Sequence, residues 1–297
     1  MRRITSSELI INGDGTIFHL HLRPEQIADI VILVGDRGRV GMVAAHFDEV
    51  ECDVENREFH TVTGRYKGRR MSVLSTGIGI GNIDICVTEL DALVNIDFES
   101  RTVKSEFKQL TLLRLGTSGG LQGDILVGDQ IFARTSLGFD GLLNYYAGAE
   151  AVCDGELESA FMSAVGWSER LPRVYAVDSS AELWELFKGS VREGITIASP
   201  GFYAPQGRCV RLKPEIVELN ERIERFDFGG RKVTNYEMES SALAGMAALM
   251  GHRAATICTI IAQRVTQNAC TDYKPFVEQM VKTALDRLAT LRVMNGG

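Results

Sequence analysis

I30-V-I-L-V-G-D-R-G-R39 decides the fold class, because five apolar residues stop abruptly in a glycine-bearing loop. An apolar run without polar alternation suits a strand covered on both faces. The same design recurs in M71-S-V-L-S-T-G-I-G-I-G81 and T111-L-L-R-L-G-T-S-G-G120, and N82-I-D-I-C-V-T-E-L-D-A-L-V94 between them has the period of a covering helix. The chain therefore reads as α/β. In such sheets ligands sit beyond the strand ends, where loops expose amides and helix N-termini. A glycine there either makes a plain turn or lets the backbone approach an anion closely. Three such loops before residue 121 favour the second reading.

Standard glycine motifs do not fit. G77-I-G-I-G81 would need glycine at 82 or 84 for a dinucleotide fingerprint, and these positions hold Asn82 and Asp84. No G-x-x-x-x-G-K-[ST] loop occurs.

With 297 residues, 45% hydrophobic and 24% charged, the chain can bury a sizeable core. No low-complexity tract or linker interrupts it, which predicts one domain over 1–297. A formal charge of -7 argues against general nucleic-acid binding, so an anionic ligand must meet locally clustered arginines. M1-R-R-I-T-S-S-E-L-I10 has no secretory apolar region, and no apolar run reaches membrane length. The six cysteines are scattered without a C-x-x-C pair, as expected of reduced thiols in a cytoplasmic protein.

Arg39 closes the first loop and Arg114 lies just before the third. A guanidinium binds oxyanions bidentately, and a charge-assisted hydrogen bond contributes roughly 1.5–3 kcal/mol. An arginine inside a buried strand needs a partner, so Arg114 faces either a structural carboxylate or an anionic ligand.

Residues 136–193 read as a peripheral elaboration with helices at 156–165 and 181–187. Strand signals return at G194-I-T-I-A-S199, followed by the aperiodic loop G201-F-Y-A-P-Q-G-R208. Phe202 or Tyr203 could stack on a flat ring there, and Gln206 and Arg208 could read its edges; otherwise the segment is an exposed turn. N235-Y-E-M-E-S240 sets Glu237 and Glu239 before an apolar helix, with Ser240 or Ser241 as its cap and Gly251 as its stop. The strand A254-A-T-I-C-T-I-I-A262 leads into Gln263 and Arg264, and an amphipathic helix over 276–292 closes the chain.

V34-G-D-R-G-R39, S75-T-G-I-G79, L113-R-L-G-T-S-G-G120, F202-Y-A-P-Q-G-R208 and N235-Y-E-M-E-S240 stand in the order seen in the nucleoside phosphorylase family, and the chain resembles its uridine phosphorylase branch from about residue 18 to 264. The resemblance implies a three-layer α/β/α fold with a central mixed sheet. It implies a phosphate pocket of Gly35, Arg39, Arg114 and Thr117, joined by Arg57 from a neighbouring subunit. His19, also from the neighbour, would reach the ribose 5′-hydroxyl; read alone, F18-H-L-H-L22 is an alternating edge strand. The sugar would meet Met238 and Glu239 with Glu237 in support, and the base would meet Phe202, Gln206, Arg208 and, through water, Arg264. Arg114, Gln206, Arg208 and Glu239 would form the catalytic set.

The implied reaction is phosphorolysis of uridine to uracil and ribose 1-phosphate, with inorganic phosphate as co-substrate, no required cofactor and a homodimer or larger assembly. Related pyrimidine nucleosides remain open as substrates. Purine phosphorylases and nucleosidases of the family carry an aspartate where this chain has Ala262-Gln263. A purine phosphorylase, a nucleosidase and an inactive nucleoside sensor are the alternatives. Arg37 stands where relatives commonly have proline, and Asn82 where some relatives have a serine near an interface cation, whose other expected ligand is Glu58.

Overall fold

A computed structural model describes residues 2–291. The first apolar run is β1 (Ile30–Val34), followed by α1 (Arg37–Ala44) and the antiparallel strands β2 (Glu49–Asn56), β3 (Phe59–Tyr66) and β4 (Arg69–Ser75). Next come α2 (Ile80–Asn95), the small hairpin β5 (Ile96–Asp97) and β6 (Thr102–Val103), and two long strands, β7 (Thr111–Gly120) and β8 (Gln130–Gly138). Then follow α3 (Gly155–Val165), β9 (Tyr175–Asp178), α4 (Ala181–Phe187), β10 (Arg192–Ala198), α5 (Leu219–Arg225) and the pair β11 (Asp227–Phe228) and β12 (Arg231–Glu237). The chain finishes with α6 (Ser240–Met250), β13 (Arg253–Gln263), β14 (Asn268–Ala269) and α7 (Lys274–Thr290).

β1 lies between β4 and β7, parallel to both, and β7 is parallel to β13. Beyond β13 the sheet becomes mixed: β8 runs antiparallel to β13, while β10 is parallel to both β8 and β12. The continuous apolar character of β1 follows from burial on both faces. Val31 and Leu33 join the core under α2 and α6, whereas Ile30, Ile32 and Val34 join the core under α1, α4 and α7. Each fully buried residue of this kind contributes roughly 1.5–3 kcal/mol through removal of apolar surface from water. This is the expected three-layer arrangement around a mixed sheet. A further core joins α3 and α5 to Ile195, Ile197, Val233 and Tyr236.

The sheet also closes on itself. β12 pairs antiparallel with the end of β7, Asn235 opposite Gly120 and Tyr236 opposite Gly119, so β7, β13, β8, β10 and β12 form a ring. That closure brings the ends of β7, β12 and β13 to one mouth, a proximity that linear motif order does not reveal.

The segment 136–193 supplies β9 to the main sheet, and Tyr175 and Val177 to the core under α6. The first eight residues of α6, Ser240 to Ala247, are buried. Their small side chains permit this: a Cβ on Gly245 would come 2.8 Å from Leu143 Cδ2. In α7 the apolar positions 277, 281, 284 and 288 are buried, as is Leu291, which follows the helix as its C-cap residue; the last residue of the expected helix, Arg292, lies outside the described residues. Among the described residues no helix is long and apolar enough to cross a membrane.

Candidate active site

A cleft of about 410 Å³ opens at this mouth of the ring. Its arginine-bearing end is made by the loop after β1, the first turn of α1 and β7: Gly35, Asp36, Arg39, Arg114, Thr117 and Ser118 line it. Asp36 caps α1 by accepting Gly38 N–H at 2.9 Å, which fixes the turn that presents Arg39. Arg39 is buried and donates to Leu115 O at 3.0 Å. Burial and the neighbouring Arg114 lower its pKa.

Arg114 turns back from β7 into the cleft, and its guanidinium occupies the space a Cβ on Gly116 would need. Both candidate partners of Arg114 are therefore relevant: it lines the open cleft and also pairs with two buried carboxylates, Glu237 at 3.0 Å and Glu239 at closer range. Burial opposes its charge, but the two glutamates outweigh that and hold its pKa above the ordinary arginine value. Burial raises the pKa of Glu239; Arg114 pulls it back and Glu237 pushes it up.

The capping of α6 differs from the serine reading. Glu239 is the N-cap residue, and the Glu237 carboxylate accepts Glu239 N–H, Ser240 N–H and the Ser240 hydroxyl at 2.6–3.0 Å. Ser241 instead donates to Asp140 at 3.0 Å. A carboxylate accepts several donors and favours a helix N-terminus, so Glu237 replaces a serine cap. Glu239 also accepts Gly79 N–H at 2.5 Å, and Gly79 has φ 99°, a backbone conformation suited to glycine. The second glycine loop is thus joined to the acid pair.

At the opposite end the cleft is walled by Phe202, Gln206, Arg208, Tyr236, Met238, Ile261 and Ala262. Arg208 lies 3.6 Å from the Phe202 ring centroid and donates to Gln206 Oε1 at 2.7 Å. Arg264 reaches the same oxygen at 3.1 Å, although it does not line the cleft. Burial and Arg264 lower the Arg208 pKa to about 10, which leaves it charged at neutral pH. Two spare donors remain: Tyr236 Oη and Arg264 Nε are buried and have no hydrogen-bond partner among the described residues. The acidic cleft residues are Asp36, Glu237 and Glu239, all engaged at the other end or with Arg114.

His19 and Arg57 lie outside the cleft of their own chain. They share one patch: the Arg57 guanidinium is 5.4 Å from the Phe18 ring centroid, and Asn56 donates to His19 O at 2.7 Å. The edge-strand reading of this segment fails. Only Ile17 forms an isolated bridge, with Ile11, and residues 18–20 form a turn. Glu58 lies beside Gly77 and Asn82, and among the described residues no cluster of three or more His, Cys, Asp or Glu is arranged to hold a metal ion.

Tyr236, Asp36 and Ser118 are cleft residues that the sequence motifs contained without marking. Tyr236 stands between Asn235 and Glu237 with no distinguishing local signal, and its placement depends on ring closure.

The sequence model described as the phosphorylase superfamily matches residues 29–292. A uridine phosphorylase of Thermococcus kodakarensis is 31% identical over 90% of this chain and 84% of its own length. A DeoD-type purine nucleoside phosphorylase of Levilactobacillus brevis is 29% identical over 91% and 98%, respectively. The crystal structure of a Trypanosoma brucei nucleoside phosphorylase described as showing uridine phosphorylase activity matches with a TM-score of 0.85 and 25% identity, covering 95% of this chain and all of that one.

Proposed function

The chain belongs to the phosphorylase superfamily, and from that premise we propose that it is a uridine phosphorylase, a single-domain pentosyltransferase that converts uridine and phosphate to uracil and ribose 1-phosphate. One observation carries the choice: the cleft has buried arginines at one end and a donor-rich, acid-free base end at the other. Uracil offers two carbonyl oxygens to Arg208, Arg264 and Tyr236, whereas a departing purine is helped by an acid, and Ala262 stands in that part of the wall.

Arg39, Arg114, Thr117 and the Gly35 backbone hold phosphate below the sugar. Glu239 accepts the ribose hydroxyls beside Met238, and Glu237 keeps Glu239 and Arg114 in register. A phosphate oxygen bonds to the anomeric carbon as the bond to the base breaks. The electron pair leaves with uracil, and the proton of hydrogen phosphate balances the uracil anion. The sugar passes through an oxocarbenium-like state, which nearby anions stabilise, and the positive groups around Gln206 stabilise the leaving base.

Incubation with uridine or inosine, with and without phosphate, tests this reading. Phosphate-dependent uracil and ribose 1-phosphate are expected; phosphate-independent cleavage makes the protein a nucleosidase, inosine preference makes it a purine enzyme, and binding without turnover makes it a sensor.

His19 and Arg57 complete the site of a second copy, which makes a dimer the smallest active unit. Their common patch outside the cleft supports this. Mixing equal amounts of two individually impaired proteins, Arg57→Ala and Arg208→Ala, is then expected to restore roughly a quarter of wild-type activity, because free exchange makes about half the dimers heterodimers and each of these holds one intact composite site. No recovery after subunit exchange has been verified would make each site self-contained. An interface cation would draw on Glu58 from each copy, since one carboxylate beside the Asn82 amide is too sparse a ligand set alone. The unpaired cysteines suit a reducing cytoplasm.

A further inference from the structure

The described chemistry leaves two buried glutamates unused: Glu158, which pairs with Arg173, and Glu89. Glu89 on α2 is only 7% exposed and makes no ion pair with a lysine or arginine among the described residues, yet it takes four donor contacts from a single turn. It accepts His19 N–H at 3.1 Å through each oxygen, Leu20 N–H at 2.9 Å and the His19 ring Nδ1 at 2.6 Å. We propose that Glu89 is the positioning residue that fixes the tautomer and aim of His19, and thereby sets the enzyme's selectivity for nucleosides with a free 5′-hydroxyl. This rests on the preceding assignment of His19 to the ribose of a neighbouring site.

The logic is one of donors and acceptors. An ionised carboxylate accepts only, so the proton of a neutral imidazole resides on Nδ1 and Nε2 carries the lone pair. Nε2 makes no hydrogen bond among the described residues, and the His19 side chain is 30% exposed. The ring therefore presents an acceptor to the outside, which a 5′-hydroxyl satisfies by donating its proton. A 5′-deoxy sugar leaves that acceptor empty, and a 5′-phosphate brings further negative charge and acceptor oxygens toward it. The contacts from the two backbone amides stop the turn from rotating, so ring direction and tautomer are set by the same group.

The test compares uridine with 5′-deoxyuridine. The wild type is expected to prefer uridine in kcat/KM by about 10- to 100-fold, the range of one well-placed polar contact. In Glu89→Gln, whose amide tolerates either ring tautomer, that ratio falls severalfold toward unity; in His19→Ala it reaches unity. A purely structural role of Glu89 lowers both substrates together and leaves the ratio alone, which would overturn the proposal. Nitrogen NMR of the His19 ring gives an activity-independent readout: Nδ1 protonated in the wild type, mixed tautomers in Glu89→Gln. An unchanged ratio in His19→Ala overturns the proposal together with the ribose role of His19. Loss of discrimination in His19→Ala with full discrimination in Glu89→Gln overturns the proposal while the wider reading stands. Absence of phosphorolysis in the wild type removes both, and is recognised before any variant is made.

Discussion

Arg114→Ala is expected to lower kcat/KM for phosphate by about 10²–10⁴-fold, the loss of two charge-assisted hydrogen bonds of roughly 1.5–3 kcal/mol each. It also removes the counter-charge of Glu237 and Glu239, both nearly fully buried. Leaving buried carboxylates unpaired costs about 3–5 kcal/mol, so the variant melts earlier than the wild type. These effects separate by pH. Burial and Glu237 raise the pKa of Glu239, and without Arg114 nothing comparable pulls it down. A carboxyl whose folded pKa lies above its unfolded value destabilises the fold at high pH, and the loss is relieved as pH falls through the folded pKa. The melting-temperature gap between variant and wild type should therefore narrow on acidification, closing most fully below the ordinary glutamate value of 4.5. Adding Glu239→Gln should recover stability at neutral pH without recovering phosphate use. Unchanged phosphate saturation in Arg114→Ala would remove this arginine from the phosphate site, leaving it as a structural counter-ion.

That dual character also marks the limit of the sequence reading. β1, α2, α6, β13 and α7 were legible because burial imposes its period on residue choice: both-face burial made β1 wholly apolar, and one-face burial spaced the apolar residues of α7. Glycine at strand ends likewise pointed to the mouth of the sheet at which the cleft opens. Ring closure was not legible, since the contact of Tyr236 with Gly119 joins segments more than a hundred residues apart and carries no local signal. The consequence was local too. Ser240 and Ser241 looked like natural caps, but Glu237, brought in by the end of β12, reaches the amides first. Arg114 alone could not reveal whether a carboxylate or a ligand neutralises it; the cleft gives it access to both. Glu89 was invisible for the same reason as ring closure: it sits on a helix as one glutamate among many, and its importance arises only from the distant turn at His19.

Arg208→Ala should damage the opposite end of the reaction, lowering kcat/KM for uridine by about 10²–10³-fold, the usual effect of removing one donor to a developing anion. Uracil is neutral while bound to ribose and gains negative charge as it leaves, so the guanidinium interacts more strongly with the transition state than with the substrate. The fall should therefore appear mainly in kcat. Truncation also clears the guanidinium from the Phe202 ring, whose centroid it approaches to 3.6 Å, and a base can still stack on that ring. KM for uridine should rise less than kcat falls, and phosphate saturation should change by less than about twofold, since no uniform phosphate contact is removed. Arg208→Lys should recover little. A lysine carries the charge, but it lacks the planar fork that contacts Gln206 while lying over Phe202. Arg264, which shares Gln206 Oε1, provides the internal control: it stands outside the cleft lining, so Arg264→Ala should change the same uridine parameters by a smaller factor. Steady-state kinetics with each substrate varied in turn decides the matter. Equal and large rises in KM for both uridine and phosphate would show that Arg208 supports the site as a whole, and an undiminished kcat would remove it from recognition of the leaving base.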